Sequence, residues 1–183
     1  VGGAAKAAAR IHHALRAEGA ESRLLVDNCS HTDPSIVLGA GRFYRLTAPL
    51  RARLTSRLTA RLHTGNSVAH EPALFSSGSA RWLAKAGTDI IHLHWVSDNM
   101  LSVRAIGRLP GTLVWTLHDM WPFCGAEHYS DDTRWHSGYN AENRPAHESG
   151  FDLNRWVWRR KRKAWRRPIQ IVAPSRWLAG LAR

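Results

Sequence analysis

Three short runs of this chain hold residue types from which functional sites are built. Asp89-Ile90-Ile91-His92-Leu93-His94-Trp95 and Trp115-Thr116-Leu117-His118-Asp119-Met120-Trp121 are apolar stretches that end in histidine and tryptophan, the second with an added aspartate. An imidazole titrates near neutral pH, so it can take a proton or donate a hydrogen bond to a hydroxyl, with a neighbouring carboxylate to assist. His118 and Asp119 are therefore the candidate catalytic residues, and His94 and Trp95 candidate binding residues. The competing assignment for His118 is a structural histidine bonded to a loop carbonyl. The third run is Gly2-Gly3 ahead of a helical pattern. Two glycines there let backbone N–H groups approach a phosphate, with the helix dipole assisting, or they make a tight turn only.

His92 and His94 have a spacing that places both rings on one face of a strand. That would suit a metal, but no third ligand stands at a fitting interval, and no metal is expected. Residues 120–150 hold Cys124, Glu127, His128, Asp131, Asp132, His136, Glu142, His147 and Glu148 without compact Cys/His ligand spacing. They read as a polar, substrate-shaping loop, to which Glu127 and His128, nearest the preceding strand, contribute. Asn154 to Arg167 interleaves tryptophan with arginine and lysine. Such a segment suits a nucleic acid or an anionic bilayer. Equally, it is a surface helix whose indoles pack inward while its charges stay wet.

These side chains need elements to carry them. Ala4, Ala8, Ile11 and Leu15 predict a helix over 4–17, ended by Gly19. Arg23–Asp27 reads as a strand and 28–42 as loop. Leu50, Leu54, Leu58 and Leu62 predict a basic amphipathic helix over 48–63, with Thr47 and Gly65 as its caps. Helices are expected over 78–86 and 98–108, and strands over 89–94 and 112–118. No periodicity covers 120–150, a length at which loops are usually functional or disordered. A basic helix over 152–166, a strand over 169–173 and a Ser175-capped helix follow. Apolar strands alternating with helices indicate an α/β fold, a parallel Rossmann-like sheet covered by helices on both faces.

The 183 residues suit one domain with a real core. The balance of 26 Lys and Arg against 14 Asp and Glu, a formal +12, favours anionic partners: phosphate, nucleic acid or an anionic membrane surface. Two distant cysteines, Cys29 and Cys124, fit a reduced chain better than a disulfide framework. No apolar run approaches the ~18 residues of a membrane span. The chain opens on Val1-Gly2-Gly3 and stops at Arg183 inside a helical pattern, so a piece cut at both ends is expected.

The Gly2-Gly3-Ala4-Ala5 turn, the His92-Leu93-His94-Trp95 strand end, Trp115 to Phe123, and Ile171-Val172-Ala173-Pro174-Ser175-Arg176-Trp177-Leu178-Ala179 occur in an order that resembles the N-terminal domain of family 4 glycosyltransferases. The likeness is to the branch that builds bacterial exopolysaccharides and colanic-acid-like polymers. It implies half of a GT-B enzyme, with two Rossmann-like domains facing across a cleft. Residues 1–172 would be the acceptor-binding domain and 173–183 the passage into a donor-binding domain, without which this piece is expected to be inactive. The implied chemistry is transfer of a hexose-type sugar with retained configuration, from a nucleotide-sugar to a glycan or polyprenyl-linked acceptor. No cofactor or metal is implied. Gly2 and Gly3 would lie by the donor diphosphate, His118 by the transferred sugar, and Ser175 near the interdomain hinge. Many relatives carry several cysteines in the loop after His118, where this chain has only Cys124. The implied setting is cytoplasmic, peripheral at the inner face of the membrane. The alternative is a basic nucleic-acid-binding module, which has no use for histidine-tipped strands.

Overall fold

The computed structural model describes residues 2–29, 33–39 and 41–182. In chain order its elements are α1 (Gly3–Ala17), β1 (Leu24–Val26), β2 (Ile36–Leu38), α2 (Arg42–Leu46), α3 (Ala48–Thr59), β3 (Leu62–His63), α4 (Ser79–Lys85) and β4 (Ile90–Leu93). Then come α5 (Val103–Ile106), β5 (Thr112–Thr116), α6 (Arg134–Ser137), β6 (Ser149–Gly150), α7 (Leu153–Ala164), β7 (Ile169–Val172) and α8 (Arg176–Leu181). The expected α/β class is what folds: β4, β5 and β7 form a parallel ladder in that order, and β1 and β2 a second parallel pair.

Helix α1 ends as predicted. Gly19 takes φ +84°, and the N–H groups of Gly19 and Ala20 donate to the carbonyls of Arg16 and Leu15, which satisfies carbonyls the helix end would leave bare. His12 is buried, with its ring nitrogens 2.9 Å from the hydroxyls of Ser22 and Ser35, so it ties the helix to the β1–β2 pair.

Four local expectations are corrected. Part of the stretch read as loop over 28–42 is strand β2, three residues too short to show a period. The helix expected over 48–63 stops at Thr59, because Leu62 and His63 leave it to pair antiparallel with Gly150 and Ser149. Gly65 is thus no cap, and Thr47 makes no side-chain cap bond; its hydroxyl donates to the Phe43 carbonyl. The helix expected over 98–108 is only α5, since Asp98 and Asn99 sit at φ +55° and +61°, outside helical space.

The main core lies along β4 and β5, where Ile91, Leu93, Leu113, Trp115 and Leu117 pack with Leu101, Val103, Ile106 and Leu109. Trp115, Trp121 and Trp165 form a cluster with ring centroids 5.4–6.1 Å apart. Trp158 of α7 packs on Tyr139. The indoles of the basic helix therefore serve packing. Cover is not complete on both faces: β7, paired only with β5, leaves Ile171 and Val172 exposed.

The aperiodic stretch 120–150 folds around buried polar groups. Arg134, 2% exposed, donates to Asp152 Oδ2 at 2.7 Å, to the Asn140 carbonyl at 3.2 Å and to Asn143 Oδ1 at 3.3 Å. Asp152 also caps α7 by accepting from the Arg155 N–H. Among the described residues no helix is long and apolar enough to cross a membrane.

Candidate functional site

The two histidine-tipped runs end side by side. β4 pairs with β5 so that His92 lies opposite Val114 and Leu93 opposite Trp115. Three side-chain hydrogen bonds then cross between the strand ends, each spanning 24 positions: His92 Nε2 to Thr116 Oγ1 (2.8 Å), His94 Nδ1 to His118 Nε2 (3.0 Å) and Trp95 Nε1 to Asp119 Oδ2 (3.1 Å). Each bond reaches two positions past the residue directly opposite, so the ladder continues into side chains at its carboxyl end. That edge is where open α/β sheets receive ligands. The Trp115 indole N–H donates to the His94 carbonyl and fixes the backbone there.

His92, His94 and His118 form a row of mutually tilted rings, with centroid separations of 4.5 and 5.3 Å. In the His94–His118 bond one ring donates and the other accepts. Burial, followed by the neighbouring His92 and His118, holds His94 down to about 4. Burial also lowers His118, against the opposing pull of Asp119. Both rings are thus neutral at neutral pH. Nδ1 of His118 makes no hydrogen bond to a described residue and stays in contact with solvent. A neutral imidazole with one committed and one open nitrogen can hold a hydroxyl without adding positive charge.

Asp119 organises the rest. Its Oδ2 also accepts from His128 Nδ1 at 2.6 Å, and its Oδ1 accepts from the Trp121 N–H at 3.0 Å. With both oxygens turned inward and 7% exposure, it positions Trp95 and His128. His128 itself sits against Trp95 and Trp121. Over this floor lie exposed aromatic rings: Trp95, Tyr129, whose hydroxyl donates to the His118 carbonyl, and Trp177, stacked on Tyr129 at 6.5 Å. Tyr129 and Trp177 are additions that the sequence reading missed. The sequence signal of Tyr129 is closeness to His128, and that of Trp177 is its place in the Ile171-to-Ala179 run that carries the resemblance.

Of the other candidates, Gly2 and Gly3 lie at the exposed start of α1 with open space around both, so no packing constraint calls for glycine there. Ser175 accepts from the Leu178 N–H and caps α8, as expected. Glu127 is placed away from solvent: 1% exposed, it accepts the Tyr139 hydroxyl on Oε1, and burial raises its carboxyl above the ordinary value. Cys124 is fully buried, and its thiol is pushed up by burial. Another residue unmarked by sequence is Lys161, also buried. Its ammonium donates to the carbonyls of Trp121, Cys124 and Gly125 and lies 3.8 Å from the Trp121 ring centre, clamping the turn that follows Asp119. Among the described residues, the one group with metal-ligand spacing is His12, His13 and Asp33, apart from these strand ends. Both nitrogens of His12 already face serine hydroxyls.

No curated protein and no solved structure matches the chain. The family model for Glycosyltransferase Family 4 matches residues 1–183 of the chain. With a Rossmann-like α/β fold whose parallel strands end in histidine, the chain belongs to Glycosyltransferase Family 4.

Proposed function

We propose that this domain is the acceptor-binding part of a retaining, nucleotide-sugar-dependent hexosyltransferase of bacterial polysaccharide assembly, the exopolysaccharide and colanic-acid-type branch. Residues 1–172 form that domain, and 173–183, with Ser175, lead toward a donor-binding domain whose presence transfer requires. The acceptor is a glycan or polyprenyl-linked glycan presented at the inner face of the cytoplasmic membrane. No cofactor or metal is assigned a role. The observation that carries this reading is the neutral His94–His118 pair at the strand ends, with its open His118 nitrogen.

As the nucleoside diphosphate departs, negative charge grows on phosphate and the sugar becomes oxocarbenium-like. The N–H groups at the start of α1, opened by Gly2 and Gly3, are suited to the phosphate charge. His118 holds a sugar hydroxyl while remaining uncharged, which avoids repulsion with the developing cation. His94 fixes the tilt of His118, and Asp119 fixes His128 and Trp95. The exposed rings of Trp95, Tyr129 and Trp177 offer apolar faces to a sugar ring, each with a polar tip.

The test uses the full-length protein that carries this domain, with nucleotide-sugars and lipid-linked acceptors. His118→Ala is expected to lower kcat by about 100-fold, the scale of losing one well-placed polar group. Transfer that is unchanged in that variant, or absent in the wild type with every donor, sinks the proposal.

A further inference from the structure

Between α4 and α5 lies an open cavity of about 390 Å3 whose lining includes none of the strand-end residues. Three arginines surround it: Arg81 from α4, Arg104 from α5 and Arg108 just past the end of α5. All three are exposed, and none has a hydrogen-bond, ion-pair or ring partner among the described residues. Other arginines of the fold are committed: Arg134 to Asp152, Arg160 to the Pro72 carbonyl, and Arg167 to the carbonyls of Leu109 and Gly111.

Arg104 and Arg108 stand four positions apart, and Arg81 faces the same cavity from the neighbouring helix. Like charges gathered this way repel each other, a repulsion that a bound anion removes. The Ser102 hydroxyl, also in the lining, accepts from the Ser76 hydroxyl at 3.0 Å and from the Ala105 N–H at 3.2 Å. Its own proton is left to donate, so every polar side chain of the cavity offers a donor. Ala80, Ala84 and Ala105 lie between them, and their short side chains keep the space open. A nucleic acid strand stacks its bases on rings, and no aromatic residue lines the cavity. A protein segment bearing carboxylates matches both features. Guanidinium forks pair with carboxylates through two hydrogen bonds each, and aliphatic groups cover the alanines.

We propose that the cavity between α4 and α5 is a docking site for an extended acidic segment of a partner protein. Its carboxylates pair with Arg81, Arg104 and Arg108, while short aliphatic side chains between them fill the space over Ala80, Ala84 and Ala105. The site draws on no residue assigned to the acceptor or the transferred sugar.

The experiment is fluorescence anisotropy with the full-length protein that carries this domain. The probe is a short fluorescein-labelled peptide of alternating glutamate and alanine. Four variants accompany the wild type: Arg104→Glu with Arg108→Glu; Arg81→Glu; Ala84→Trp, which fills the cavity without changing the charge; and, on α3, Arg53→Glu with Arg57→Glu. The wild type is expected to bind the peptide but not its glutamine counterpart. Each of the three cavity variants is expected to weaken binding at least about tenfold, and the α3 variant less than about twofold. Circular dichroism confirms the fold of each, and Ala84→Trp decides the matter if a charge reversal unfolds the domain. The proposal is overturned if the wild type shows no anisotropy change up to about 1 mM peptide. It is also overturned if the α3 variant loses as much binding as the cavity variants, or if the cavity arginines hold a single-stranded or duplex oligonucleotide while the peptide is ignored.

Discussion

His94 shows how much the strand ends depend on keeping imidazoles neutral. Its value in the fold is about 4 against an ordinary 6.5, with burial the largest cause. A lowered histidine binds its proton later in the folded state than in the unfolded chain. Stability is therefore expected to fall as pH drops from about 6.5 toward about 4, by about 2 kcal/mol after allowance for partial exposure. Urea titrations across that range check it, and His94→Gln is expected to flatten the slope. Asp119 gives a second test. Asn at this position turns an amide NH2 toward donors that now face an oxygen, either the Trp121 N–H or the pair from Trp95 and His128. A loss of about 2–3 kcal/mol is expected for Asp119→Asn, with a change in tryptophan fluorescence as Trp95 comes loose. A variant as stable as wild type would remove Asp119 from its organising role.

At the scale of elements, α7 and its cap residue hold the 120–150 stretch through two buried contacts of different origin. Lys161 supplies a donor to three carbonyls of the turn after Asp119. In Lys161→Met those acceptors lose their donor, and thermal unfolding is expected to show about 3 kcal/mol of destabilisation. Asp152 separates its two duties cleanly. Asn caps a helix as well as Asp does but leaves Arg134 paired with Glu148 alone, at 3.5 Å, so Asp152→Asn is expected to cost about 2 kcal/mol through the weakened ion pair. If Asp152→Asn is silent and Asp152→Ala costs about 1 kcal/mol, the cap alone matters. Neither Lys161 nor Arg134 was marked by the sequence, because a lysine in a basic helix and an arginine in a polar loop both read as solvated until a fold closes over them.

For the whole molecule, exposed aromatic rings lie at the strand ends, and exposed apolar side chains stand among arginines on α2–α3. If Tyr129 and Trp177 stack on the acceptor, Trp177→Ala in the full-length protein is expected to raise the acceptor KM about tenfold, with kcat nearly unchanged. The opposite split, kcat lost with KM intact, would assign Trp177 to the chemical step. The +12 charge belongs to the same scale. Much of it lies on α2, α3 and α7, and packing decides which of those helices shows apolar tips to solvent.

By itself the sequence determined the class of fold and the two strand ends, because apolar runs between helical patterns leave few choices and both runs end in the same histidine and tryptophan types. Helix α1 with its Gly19 end and α8 with its Ser175 cap were legible for the same reason: their signals are local. Tertiary structure alone decided that His94 meets His118 and Trp95 meets Asp119, since the match depends on the register of β4 against β5. It also decided that Glu127 turns inward, that Leu62 leaves its helix for a strand, and that Arg134 and Lys161 are buried. Each of those outcomes sets a local preference against contacts made far along the chain, and only the packed molecule brings both sides together.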